Sequence, residues 1–192
     1  PTPGRLEQVI NNQVKIFKST DRRGSVAIAI SGTDQDEVAT NFIYDSISEY
    51  EAHQDGVLGD TVRLSGIDTR GADCVRTSWA LARVIEPAVR PSRPKYIRRN
   101  LITAKPGELG NLVNVLKELR EVFTTVTPGI AVQLGGNNDT VRTLVVVSSM
   151  EEFEAYSDEL ASDKTKTYRD RVAGMIVGQH SVLSRFVHVN QS

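Results

Sequence analysis

Cysteine is all but missing from this chain. Cys74 is the only one in 192 residues, so no internal disulfide can form, and the thiolate sets that hold structural zinc or iron–sulfur clusters are excluded. Charge of one sign is lacking too: 23 basic and 24 acidic side chains leave a formal net charge of −1. No overall field therefore draws the chain to nucleic acid or anionic lipid. No run of about 18 apolar residues is present to span a membrane as a helix. The opening Pro1-Thr2-Pro3-Gly4 carries neither the basic nor the apolar segment of a secretion signal. A cytoplasmic location, with no membrane or nucleic-acid partner, is the expectation. G-x-S-x-G, P-loop, HExxH and paired-cysteine motifs are all absent from the sequence. What remains is an ordinary globular composition, 39% apolar, sufficient for a packed core.

The chain does contain itself twice. Ile47 to Asp60 (ISEYEAHQDGVLGD) lies over Met150 to Asp163 (MEEFEAYSDELASD) without a gap, at an offset of 103. Glu49/Glu152, Glu51/Glu154, Ala52/Ala155, Asp55/Asp158 and Asp60/Asp163 are identical, while Tyr50/Phe153 and Val57/Leu160 stay apolar. The same offset aligns Pro3-Gly4-Arg5-Leu6 with Pro106-Gly107-Glu108-Leu109. Fixed-period self-similarity marks a repeated structural unit. Between the copies, Glu86 to Tyr96 (EPAVRPSRPKY) holds three of the seven prolines and reads as an extended connector. The expected organisation is one repeat over 1–86, a Pro-rich linker over 87–95 and a second repeat over 96–192.

In the second copy, Ile97 to Ala104 reads as a strand, broken by Pro106-Gly107 before a helix whose Leu109, Leu112, Val113, Leu116 and Phe123 share one face. Ile130–Leu134 and Val141–Val147 are β-branched runs joined by the turn-rich Gly135 to Asp139, a hairpin pattern. Ser149 with Glu152, and Ser46 with Glu49, are capping-box pairs opening a second helix in each copy. That helix is expected to run to roughly Met175, with Val182 to Val189 as the last strand. The order is β-α-β-β-α-β, the ferredoxin-like unit. No counterpart of strand Ile97–Ala104 precedes Pro3, so the first unit is expected to lack its first strand. Either residues preceding it are missing from the chain, or another chain adds a strand, which makes a homo-oligomer an expected option.

Leu101 to Gly107, Asp45 to Ala52 and Ser148 to Ala155 resemble the dimeric α+β barrel superfamily, which includes NIPSNAP-like, stress-responsive barrel and antibiotic-biosynthesis monooxygenase families. The resemblance implies an α+β fold of two ferredoxin-like units packed sheet to sheet as a barrel around a small apolar or aromatic molecule. Members include cofactor-independent oxygenases, haem-degrading enzymes, isomerases, decarboxylases and proteins with no demonstrated activity, so the fold leaves the reaction open. The Asn, Trp and His pattern of the haem-degrading branch is not matched by Trp79 and the three histidines. No catalytic residue is carried over, and no cofactor and no metal is expected. Two functions stand side by side. One is a small-molecule barrel, as a cofactor-independent monooxygenase or isomerase for an aromatic or polyketide-like compound. The other is a non-enzymatic stress or interaction protein with a filled barrel.

Candidate ligand-binding residues follow from the repeat and from strand alternation. Arg83 and Arg185 align between copies and suit a carboxylate or phenolate, or else a helix acid. Trp79 lines a pocket or fills a core. Alternation directs Val26, Ile28 and Ile30, and in the second copy Ile130, Val132 and Leu134, toward the helices. Gln133 then faces the barrel interior, where Asn100 or Arg98 of a neighbouring strand is expected to join it. His53 on its helix is expected to be solvent-exposed, His180 and His188 lie too far apart on a strand to share a metal, and Arg90, Arg93, Lys95, Arg98 and Arg99 read as a solvated basic linker.

Overall fold

The computed structural model describes residues 1–19, 22–32, 37–60, 72–135 and 137–190. Their helices of twelve or more residues are α1 (Leu6–Ser19), α2 (Ile47–Leu58), α3 (Leu109–Val122), α4 (Met150–Ala161) and α5 (Asp163–Met175). The strands are β1 (Gly24–Ser31), β2 (Val38–Phe42), β3 (Ala82–Glu86), β4 (Tyr96–Ala104), β5 (Gly129–Gln133), β6 (Thr140–Val147) and β7 (Ile176–Asn190). The chain divides into two compact units, one from residues 1–29, 34–78 and 186–192, the other from 30–33 and 79–185.

The larger unit is built on a sheet in the order β7-β4-β6-β5-β3, every neighbouring pair antiparallel. With α3 between β4 and β5, and α4 and α5 between β6 and β7, this is the expected ferredoxin-like unit, widened by β3 at one edge. The helix-facing side of the sheet is fixed by its contacts. Ile102, Ala104, Ile130 and Val141 pack with Leu112 and Leu116 of α3, and Val145 and Val147 pack with Leu119, Phe123 and Tyr156. Even-numbered residues of β4 and odd-numbered residues of β6 thus face the helices, and the period of two sends the others to the opposite side. Val141, Val145 and Val147 are almost fully buried, and so are Val146 and Ile97 on the other face, which agrees with the two-sided apolar pattern of β6.

Three boundaries differ from expectation. The helical stretch after Ser149 is two helices, because Ser162 takes an extended conformation (φ −68°, ψ 165°). The break is stitched by Thr165, fully buried, whose hydroxyl donates to the Leu160 carbonyl at 2.6 Å, and by Ser162 Oγ donating to Glu159 O at 2.7 Å. β7 begins at Ile176, six residues before the expected Val182, since pairing with β4 stabilises the polar Gly178 to Ser181 in a strand that their propensity does not favour. Leu134, expected to face the helices, lies just past the end of β5 and is exposed. The β5–β6 hairpin stands as expected, with Asn137 Oδ1 accepting from Asp139 N at 3.1 Å in its turn; Gly136 lies outside the described residues.

The smaller unit pairs β1 with β2, Gly24 opposite Phe42 and Ile28 opposite Val38. α1 turns Val9, Gln13 and Phe17 inward. Gly24 is required there, because an added Cβ would stand 2.1 Å from Asn41 O and 2.5 Å from the Phe17 ring. Among the described residues no strand precedes α1, as the repeat predicts. The alternation assigned to β1 is only partly realised: Ser25, Val26 and Ala27 are all buried, while Ile30 is exposed. Burial along β1 therefore follows position in the strand more than the bulk of the side chain. His53, expected in solvent, is half-buried with its ring 5.7 Å from Tyr44 and 6.2 Å from Phe42.

Candidate active-site cleft

The chemistry-bearing side chains of the larger unit meet where α4, α5, β4 and β7 converge. An open cleft of about 600 Å³ is lined there by Ser31, Arg98, Phe153, Ser157, Leu160, Ala161, Arg169, Ser181 and Leu183. Strand parity puts Arg98 in it: the residue shares the helix-facing side of β4 with Tyr96 and Ile102, and its register partner on β7 is Leu183. Its Nε donates to Ser181 Oγ at 2.9 Å, and its guanidinium lies 5.8 Å from the centre of the Phe153 ring. A stacked arginine is held by its flat face, so its outer N–H groups stay available.

The helix break supplies the second cation. Arg169 of α5 donates from Nη2 to the carbonyls of Ala161 and Ser162 at 3.0 and 3.2 Å, where α4 ends. A cation among the free carbonyls of a helix C-terminus is electrostatically well placed. Its Nε is buried and has no hydrogen-bond partner among the described residues. Ser157 Oγ donates to Phe153 O at 2.8 Å, which leaves its lone pairs toward the cleft. Tyr156, next to this wall, is buried against Phe123 with ring centres 5.0 Å apart. Burial pushes its hydroxyl pKa up, and the nearby Arg98 charge only partly opposes that. The lining thus combines two guanidiniums, three serine hydroxyls and an apolar wall, with no carboxylate and no imidazole.

Of the residues singled out in the sequence, the structure brings only Arg98 into this cleft. Asn100 faces the helices as well, but its Nδ2 donates to Thr143 Oγ1 at 3.1 Å inside the sheet row. Gln133 does not join them. β6 lies between β4 and β5, and Gln133 has the parity of Ala131, opposite to that of Ile130 and Val132, so the expected grouping of Gln133 with Arg98 and Asn100 is corrected: a strand and a sheet face separate them. Arg83 and Arg185 are exposed on β3 and β7, and Trp79 is 73% exposed, away from the cleft. The basic linker divides likewise: Arg90, Arg93 and Lys95 are exposed, whereas Arg98 and Arg99 are half-buried on opposite faces of β4. Arg169 was hidden within the polar run Lys164 to Arg171, which reads as a solvated helix, and nothing in its spacing singled it out.

No protein-family model matches the chain, and no curated protein matches it. Solved structures do. An anthrone oxidase-like protein superposes with a TM-score of 0.69 at 19% identity, over 100% of this chain and 90% of that one. A proposed monooxygenase from Lactobacillus acidophilus gives 0.66 at 8% identity, over 97% and 89%. Another from Fusobacterium nucleatum gives 0.65 at 11% identity, over 98% and 88%.

Proposed function

We infer that the fold is that of the dimeric α+β barrel proteins, which the sequence resemblance implied and which the near-full-length superpositions support. Among the described residues, no helix is long and apolar enough to cross a membrane.

We propose that this protein is a cofactor-independent monooxygenase acting on an aromatic or polyketide-like compound that ionises to a phenolate or enolate. The observation that carries this reading is the cleft, where Arg98 and Arg169 present two guanidiniums beside the Phe153 ring and no lining residue carries a negative charge. Guanidiniums stabilise the anion and so lower the pKa of the bound substrate, with the donors already in place before the charge develops. An ionised, electron-rich carbon reacts with dioxygen. For an activated methylene, the carbon gives up both hydrogens, one oxygen atom becomes its carbonyl and the other leaves as water, so R2CH2 and O2 give R2CO and H2O. A filled, non-enzymatic barrel is disfavoured by the volume and polarity of the cleft.

The test is oxygen uptake by the purified chain with an anthrone, chosen from the name of the first structural neighbour, followed with an oxygen electrode and product mass. Substrate-dependent uptake is expected, with kcat/KM lowered about tenfold or more in Arg98→Gln, equivalent to about 1.4 kcal/mol of lost transition-state stabilisation. Uptake unchanged in Arg98→Gln and Arg169→Gln would place the chemistry elsewhere. Native mass spectrometry for a co-purified anionic compound addresses the substrate class independently.

A further inference from the structure

The two arginines of the cleft do not offer a ligand the same thing. Arg169 has its Nη2 committed to the carbonyls of Ala161 and Ser162, and its Nε is buried, so no edge of its guanidinium keeps a free pair of parallel N–H groups. It contributes charge and a single donor group, Nη1. Arg98 makes one hydrogen bond among the described residues, from Nε to Ser181 Oγ at 2.9 Å. Its Nη1 and Nη2 have no partner there and are not sealed from solvent. One whole end of the guanidinium is therefore open, in a residue that lines the cleft.

Ser181 decides which end that is. Pairing with β4 holds the polar stretch Gly178 to Ser181 in β7, and the register sets Ser181 opposite Asn100, two residues from Leu183, the partner of Arg98. Arg98 and Ser181 are thus diagonal neighbours on the helix-facing side of the sheet, within reach of a long side chain. With Nε tied to Ser181 and the guanidinium 5.8 Å from the centre of the Phe153 ring, the group is held at one edge and on one face. Holding a planar group in both ways removes much of the ordering cost that a free arginine meets on binding.

We propose that Ser181 is the positioning residue of the cleft, turning Arg98 so that the site selects planar anions with two oxygens on one edge over anions with a single oxygen. The Nη1 and Nη2 groups at the end of a guanidinium donate in parallel and match such an edge bidentately. A lone phenolate oxygen cannot meet both in line. A carboxylate presents the two-oxygen edge, and so does the enolate of a β-dicarbonyl. For the oxygenation proposed above, a reading on which this step rests, the substrate then carries a second oxygen beside the one that ionises, and Arg98 holds the two together.

The experiment is isothermal titration of the full chain at low ionic strength with pentafluorobenzoate, pentafluorophenolate and tropolonate, at a mildly alkaline pH where all three are ionised. The first two share a ring and a charge and differ in the number of oxygens, while tropolonate is a planar enolate with two adjacent oxygens. In the unmutated chain the benzoate and tropolonate should bind about tenfold or more tightly than the phenolate. Ser181→Ala should weaken both two-oxygen probes about fivefold, the ordinary worth of one hydrogen bond, and leave the phenolate within about twofold. Arg169→Gln should weaken all three alike, which separates loss of charge from loss of shape. Arg98→Lys, which keeps the charge and loses the fork, should bring the three probes level. The proposal is overturned if the phenolate binds as tightly as the other two, if tropolonate fails where the benzoate binds, if no probe binds saturably, or if Ser181→Ala leaves the ratio as it was. No arm of this measurement consumes oxygen, so its failure leaves the oxygenase reading standing, and absence of oxygen uptake leaves the selectivity standing.

Discussion

The two copies of the repeat begin their second helix in the same way and finish it differently. Ser46 and Ser149 are both extended N-caps, with hydroxyls accepting from Glu49 N and Glu152 N at 3.1 and 3.2 Å. Glu49 and Glu152 reach back to Asp45 N and Ser148 N, each at 2.7 Å. One turn further on they part. Tyr50 meets Tyr44 edge-on at 5.4 Å, and Arg22 lies over the Tyr44 ring, whereas Phe153, the counterpart of Tyr50, lines the cleft beneath Arg98. At the last turn Gly56 stands where the second copy has Glu159. Glu159 accepts from the backbone N–H groups and hydroxyls of Thr124 and Thr125 at 2.6–3.1 Å and pairs with Lys164 at 3.0 Å. One helix is clamped to its neighbours and buries Tyr156, while the other has no fully buried residue. Equal starts are thus followed by unequal anchoring, with Glu159 tying α4 to Thr124 and Thr125.

The comparison breaks most sharply at Glu159. Glu159→Gly, which installs the residue of the first copy, should cost about 3 kcal/mol or more, since it leaves several donors unsatisfied and adds a helical glycine. Urea unfolding measures it, and a loss below about 1 kcal/mol would show that the clamp contributes little.

Acid should expose the same clamp. Partial burial works to raise the pKa of Glu159, but the hydrogen bonds from Thr125, Lys164 and Thr124 outweigh it and hold the carboxyl well below its usual 4.5. A depressed folded-state pKa gives stability that is fully present above the unfolded value and is lost as pH falls below it. Unfolding free energy should therefore drop from pH 5 toward pH 3, and Glu159→Gln should flatten that drop. An equally steep curve in the variant would assign the acid sensitivity to other carboxylates.

The shared features make smaller, matched predictions. Ser46→Ala and Ser149→Ala should each cost about 1 kcal/mol, the ordinary worth of an N-cap, and should agree within about 0.5 kcal/mol in thermal or urea unfolding. A larger gap would show that the caps are coupled to the different packing behind them. The smallest effect is at Gly56, where an added Cβ meets nothing within 4 Å. Gly56→Ala should stabilise by about 0.5–1 kcal/mol, and a loss of stability would reveal an unrecognised need for glycine in α2.

Much of this was legible in the chain. The caps, the helical face of Leu112 and Leu116 and the β5–β6 hairpin follow from local chemistry and from comparing the sequence with itself, because capping, periodicity and turn preference act within a few residues. The site was legible only as Arg98. Alternation says that Arg98 and Arg99 point opposite ways, but not which of them meets the helices. That depends on α3 packing on Ile102 and Ala104 rather than on Leu101 and Thr103. Nor does alternation reveal that β6 lies between β4 and β5, which keeps Gln133 from Asn100 and gives it to Arg142 instead. Arg169 enters the cleft because a helix breaks at Ser162 and its buried hydroxyl stitch turns α5 back. Strand order, the choice of face and the angle of a helix break are decided by burying apolar area between segments far apart in the chain. Only the tertiary structure contains that information.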